Sequence, residues 1–415
     1  MDDEQRFDFI IEIIQETYKL NVLSISQILA VEDHISPNNF IYLVEFFRTP
    51  HTSLDTPASQ PGTVRIPNSV NNVIMSLSNP DKDFYPPNRV QNEVAAMSLA
   101  RTILAPRKVI PDVYGWGSDA EEKGWIMMEN RMENITGIPL VIELDKLGLR
   151  GQTRALQEVA RVVLAFQQYE LPESVQWFGG LDFDDDGNIV SAPLTLFSCG
   201  PFTTYPEMLK CIFRERLAAA EESHLLRGWK DTGRDTLAKL EDFITVGIDY
   251  MLKDIKIEKR LVHGNLALDN FMYDRKLGQI SAILGFDSAR ISAIADEMLT
   301  SFDARFARLP MSHEGDLEIV RFRRALLHGF PREMYALYEK FRWEIALAWE
   351  SLLEAVGAQR PRTLKGIERF SSLYMLLYVI CPEGFEDEMI VDQDDLDKKQ
   401  KEKEYFEEII QRLLP

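Results

Sequence analysis

The chain has 415 residues, is 45% hydrophobic and 27% charged, and carries a formal net charge of −20. A chain of this length buries enough apolar surface to fold without disulfides or a metal, as two or three packed units or as one two-lobed domain. The charge argues against nucleic acid and anionic membranes as partners, since both are held by clustered Lys and Arg, and no window approaches the roughly 18 apolar residues of a membrane span.

The opening "MDDEQRFDF" is acidic and reads as neither a secretory signal nor a transit peptide. The three cysteines, Cys199, Cys211 and Cys381, are widely spaced and show no metal-ligand pattern. The simple reading is a reducing compartment and a cytoplasmic protein. "FDFIIEIIQETYKL" has apolar residues at helical spacing and predicts an amphipathic helix. "FIYLVEFF" (Phe40–Phe47) and "GTVRIPN" (Gly62–Asn68) predict strands, joined by the Pro/Ser/Thr-rich loop "TPHTSLDTPASQPG". "NRVQNEVAAMSLARTIL" predicts a helix, and "VIPDVYGWG" and "GWIMMEN" two further strands, the second running into the turn-rich "RMENITGIPL".

Downstream the pattern is mostly helical. "RGQTRALQEVARVVLAFQQYEL" and "DTLAKLEDFITVGIDYMLKDI" are long and periodic. "GGLDFDDDGNIV" predicts a small acidic hairpin. Its Asp184–Asp186 run lacks the distal Glu and flanking helices of a calcium loop, so a solvated turn is expected. The tail "DQDDLDKKQKEKEYFEEIIQRLLP" predicts a charged helix whose stripe Tyr405, Ile409, Ile410 and Leu413 packs on its own domain. "NIT" at Asn134–Thr136 fits a glycosylation acceptor but is incidental here.

The most informative segment is "LVHGNLALDNFMYDRKLGQISAILGFD". It predicts a loop followed by a hairpin, with "NFMYD" and "ISAIL" as strands and "RKLG" as the turn. The segment resembles the aminoglycoside phosphotransferase and choline kinase family, especially its fungal members, whose pattern is H-G-D-L-H-P-G-N-I-L-V-D followed by I-I-D-W-E. His263, Gly264, Leu266, Asn270 and Asp274 match, as do Ile280, Ile283 and Leu284. Further matches lie along residues 20 to 385. Arg65 stands where the family has a phosphate-contacting cation, and Glu93 matches the helix glutamate that pairs with it. Met128, Glu129 and Asn130 fall in the hinge that takes the adenine edge, and Asp296 matches an Asp beyond the metal segment.

The resemblance implies an α+β, two-lobed protein-kinase-like fold. A small β-rich lobe with one main helix spans residues 1–130, a hinge 131–140 and a larger helical lobe 141–390, followed by the charged helix 391–415. It also implies ATP and magnesium as cofactors and a small-molecule ligand or a protein partner in the interlobe cleft. In this family one carboxylate accepts the substrate hydroxyl's proton, and a second carboxylate holds magnesium together with an asparagine, here Asn270. The chain has Asn265 at the first carboxylate position and Gly285 at the second. An amide is not a base at neutral pH, and glycine offers no ligand.

Two carboxylates stand nearby as substitutes. Asp287 lies two residues beyond Gly285, about 6–7 Å along an extended chain, and Asp269 adjoins Asn270; both also read as ordinary solvated or capping carboxylates. His263 reads as a loop brace or a catalytic group, and Arg65 with Glu93 as a phosphate site or a structural pair. The loop "EDHISPNNF" has no glycine with which to wrap phosphates. Three functions remain open: a catalytically degenerate pseudokinase, an active phosphotransferase with a shifted acidic site, and a non-kinase enzyme reusing the cleft.

Overall fold

The computed structural model describes residues 2–28, 39–48, 60–79, 88–118, 124–131, 137–230, 234–311, 316–331, 340–382, 385 and 393–414. Most of the loops "TPHTSLDTPASQPG" and "EDHISPNNF", and Asn134–Thr136, lie outside these residues.

The first lobe opens with α1 (Asp3–Glu12), capped by Asp2, whose side chain accepts the N–H of Gln5. Strands β1 (Asn21–Ile28), β2 (Asn39–Phe47) and β3 (Asn72–Ser78) precede α2 (Arg89–Ile103), and β4 (Val113–Gly117) and β5 (Trp125–Glu129) follow it. They form one antiparallel sheet in the order β1-β2-β3-β5-β4. β3 is central, with Val73 opposite Val44 and Ile74 opposite Met128, and it is buried along its whole length. Its side chains alternate between two cores, as the strand period requires. Val73, Met75 and Leu77 join Ile10, Ile14 and Phe46 under α1. Ile74 joins Val94, Ala95 and Met128 around α2.

The strand expected at Gly62–Asn68 is a loop, and the third strand is Asn72–Ser78 instead. Pro61 and Pro67 bracket the loop and cannot donate to a ladder. Arg101 holds it from α2, donating to the carbonyl of Gly62 at 2.6 Å, and Val64 N–H reaches Val113 O at 2.8 Å.

A short β6 (Ile138–Pro139) and α3 (Leu140–Leu144) lead into α4 (Leu149–Gln168). α4 buries Leu156, Val159, Val163 and Phe166. The acidic hairpin forms as β7 (Gly180–Phe183) and β8 (Ile189–Ala192). Asp184 Oδ1 accepts the N–H groups of Asp186 and Asn188 in its turn. Next come α5 (Tyr205–Glu222), capped by Thr204, then α6 (Thr236–Asp242) and α7 (Ile248–Leu252). The motif region supplies β9 (Arg260–Val262), the hairpin β10 (Phe271–Asp274) with β11 (Gln279–Ile283), β12 (Arg290–Ser292) and α8 (Ile294–Asp296). The remainder is α9 (Leu317–His328), α10 (Trp343–Val356), α11 (Ile367–Ile380) and α12 (Gln393–Leu413). α12 seats Phe406, Ile409 and Ile410 in the core built by α5 and α11, so the tail packs on its own lobe as the stripe predicts.

Cys199 and Cys211 form a disulfide, whereas the spacing suggested no pair. Cys199 lies on a loop folded back by Leu194 N–H donating to its carbonyl, which brings it to the first turns of α5. The expectation of a reducing compartment therefore loses its basis. Among the described residues no helix is long and apolar enough to cross a membrane.

Candidate functional site

β9 delivers the chain to His263. Gly264 then turns at φ +81°, where an added Cβ would come within 2.5 Å of Ser288 O, so only glycine fits. Leu266 and Leu268 are driven into the core, leaving Asn265 before them and Asp269 after them exposed. A single helical turn, Leu268–Asn270, then leads into β10.

His263 is fully buried and joins the two halves of the site. Its Nδ1 accepts the N–H of Asn265 at 3.2 Å, and its Nε2 lies 3.0 Å from Leu284 O. These partners require the neutral tautomer with the proton on Nε2. Burial pushes its pKa down to about 4. The ring packs on Phe286 at 4.4 Å between centroids. A neutral, doubly bonded imidazole facing two backbone groups is a brace.

Asn265 and Gly285 occupy the two positions that the family pattern gives to carboxylates. The Asn270 amide donates to Asn265 O at 2.8 Å, and Leu284 N–H donates to Asn270 O at 2.9 Å. Gly285 has φ +79°, and a Cβ there would meet Asn270 Oδ1 at 2.6 Å. The space of a side chain at 285 is therefore filled by the amide of Asn270, in a backbone conformation that L residues rarely adopt. Asp287 sits partly buried in the turn Phe286–Ser288. Asn265 and Asn270 supply neutral oxygens and Gly285 none, which is a poor donor set for magnesium. Among the described residues no cluster of three or more His, Cys, Asp or Glu side chains is placed to hold a metal ion.

Asp269 is exposed and close enough to Arg305 to help raise that guanidinium's pKa, after Asp303 and Asp145. Arg65 is exposed on the loop before β3, and among the described residues no ion pair joins it to Glu93. Glu93 is buried on α2. The β3 residues sharing the α2 face with Ile74 are Asn72, Ser76 and Ser78, so this strand presents no cation to the helix. At the hinge, Met128 is buried, Glu129 pairs with Arg131 at 2.8 Å, and the Asn130 amide donates to Asn72 at 3.0 Å.

Three supports escaped sequence reading. Glu297 is buried beneath the loop, where its Oε2 accepts the N–H of His263 at 2.6 Å. Burial pushes its pKa up to about 7, partly offset by hydrogen bonds from Ser301 and the loop backbone. Ser301 Oγ in turn accepts the N–H of Leu266 at 2.7 Å. Asn92, fully buried on α2, donates to Ala289 O at 2.9 Å and accepts from Leu181 N–H at 2.8 Å. These two bonds fasten the first lobe's helix to the second lobe. Asp296, expected from the pattern, is buried beneath Tyr205, Tyr374, Ser292 and Arg290, so its oxygens face the interior.

A sequence model of the phosphotransferase enzyme family matches residues 73–307, more than half of the chain. Among curated proteins there is no match. Among solved structures, ADP-bound aminoglycoside phosphotransferase APH(2'')-Ib is 12% identical, with 99% of each chain covered and a TM-score of 0.50. The streptomycin–ATP ternary complex of APH(2'')-IIa is 11% identical with the same coverage and TM-score. Plasmodium vivax ethanolamine kinase is 9% identical, covering 98% of this chain and 89% of that one, with a TM-score of 0.45. The two-lobed architecture, the loop–hairpin geometry and the family match agree, and the chain belongs to the phosphotransferase enzyme family.

Proposed function

We propose that this chain is a catalytically degenerate member of its family, a pseudokinase that binds a small molecule or a protein in the interlobe cleft. The observation that carries the reading is the packing of Asn270 into the Cβ space of Gly285, which has a positive φ. A recent loss of a carboxylate would leave a vacancy. Here the neighbouring amide fills the space and the backbone has settled into a form suited to glycine. The neutral Asn265 and the cation-free α2 face of β3 support the same reading, because phosphoryl transfer depends on a placed base and on neutralised phosphate charge. The two relatives above were solved with ADP and with ATP, so nucleotide is the first ligand to try in this cleft.

Thermal-shift titration of the full chain with ATP, with and without magnesium, tests the reading. The expected result is a nucleotide response that magnesium does not enlarge, and no phosphoryl transfer to aminoglycosides or choline. A large magnesium-dependent stabilisation would overturn it. The competing reading, a shifted acidic site, rests on Asp287 in the turn beside Gly285. It predicts ATP turnover that falls about 100-fold or more in Asp287→Ala.

A further inference from the structure

A cavity of 590 Å³ opens beside the hinge between the loop joining α2 to β4, helix α4 and the β10–β11 hairpin. It includes hinge residues Glu129 and Asn130 but none of residues 263–270 or 284–287. Its volume falls in the range of small-molecule sites. Val109, Val162 and Ile280 give it apolar wall, and Arg107, Lys108 and Arg161 line it with positive charge.

The cavity is lined by four cations, Arg107, Lys108, Arg131 and Arg161, and three carboxylates, Glu129, Glu158 and Asp274, a formal excess of one positive charge. Its three carboxylates are engaged locally. Glu129 pairs with Arg131, Glu158 accepts the N–H of Ile280 at 3.0 Å, and Asp274 accepts the turn N–H groups of Lys276 and Leu277. Arg107, Lys108 and Arg161 make no ion pair or side-chain hydrogen bond among the described residues. In a chain of net charge −20, this concavity carries a formal positive excess, and three of its cations are unpaired.

We propose that this cavity is a binding site for a small organic anion: an apolar body carrying one or more carboxylate or phosphate groups. The apolar walls would take the body, and the three cations would take the anionic groups, with arginine suited to bidentate pairing. The site shares the hinge residues Glu129 and Asn130 with the interlobe cleft but none of the residues of the loop and turn at 263–270 and 284–287.

The test is isothermal titration of the full chain with benzene-1,3,5-tricarboxylate and with phenyl phosphate, using benzene-1,3,5-tricarboxamide as the uncharged control. The expected result is saturable binding of at least one anion, weakened by salt, and none of the triamide. Affinity falls about tenfold or more in the triple variant Arg107→Gln/Lys108→Gln/Arg161→Gln. The single variant Arg161→Glu, on an exposed position of α4, loses binding while keeping the native melting temperature. Asn265→Ala binds as the native chain does, which separates this site from the cleft. No binding of either anion at about 5 mM, equal affinity in the triple variant, or equal binding of the triamide overturns the proposal.

Discussion

Asn270 stands where the side chain of residue 285 would have to go, its Oδ1 2.6 Å from the Cβ that Gly285 lacks. The clash arises at Cβ, before any functional group is reached. Gly285→Ala and Gly285→Asp are therefore expected to destabilise the fold by similar amounts, about 1–3 kcal/mol, from the positive φ and the displaced amide. Urea denaturation of both variants checks this. The double variant Asn265→Asp/Gly285→Asp is expected to gain no kinase activity, because admitting its carboxylate displaces the Asn270 amide from its bond to the carbonyl of residue 265. Recovered ATP turnover in that protein would show the site to be intact apart from two side chains.

His263 and Glu297 titrate in opposite senses. His263, lowered to about 4, contributes stability that is present above its unfolded value of 6.5 and lost as pH falls toward 4. Glu297, raised to about 7, contributes stability that is present below its unfolded value of 4.5 and lost as pH rises toward 7. Between those unfolded values the two slopes cancel. Glu297→Gln removes one of them, so its stability relative to native is expected to rise with pH between about 4.5 and 7, by up to about 1.4 kcal/mol per unit. Denaturation curves for both proteins across that range measure the difference.

Asn92→Ala leaves Ala289 O and Leu181 N–H buried without their partner. The expected cost is about 2–4 kcal/mol, summed over two orphaned groups. Asn92→Asp restores the acceptor to Leu181 but not the donor to Ala289. It is therefore expected to protect the Leu181 amide from hydrogen exchange better than Ala does.

The bond between Cys199 and Cys211 closes a short loop against α5. Its loss in Cys211→Ser, or under reductant, is expected to cost about 3 kcal/mol. Cys381 is buried and takes no part in this disulfide, so Cys381→Ser leaves the pairing intact. Non-reducing peptide mapping with melting curves tests both statements.

Much of this fold was legible from pattern. The β10–β11 hairpin, α2, α4 and the stripe on α12 all carry strong periodicity or turn chemistry, and each formed close to its expected bounds. The failures have physical causes. β3 is buried on both faces and carries serines at Ser76 and Ser78, so it lacked both the alternation of a half-buried strand and the expected cation. Arg65 drew that assignment to a proline-bracketed loop. Glu297 and Asn92 are polar residues on helices, where burial cannot be read from residue type. The pairing of Cys199 with Cys211 depends on a loop reversal between them that cysteine spacing does not encode.

The Asn92 bonds also bear on how the cleft could widen. The chain passes between lobes at the hinge, and α2 is tied by directional hydrogen bonds on both sides: Asn92 bonds Ala289 and Leu181 of the second lobe, and Arg89 donates to Asn39 of β2 at 2.9 Å. Apolar contacts slide at lower cost than buried hydrogen bonds break. Helix α2 is therefore a strut between the sheet and the body below, and widening the cleft has to give up hydrogen bonds on one side of it or the other.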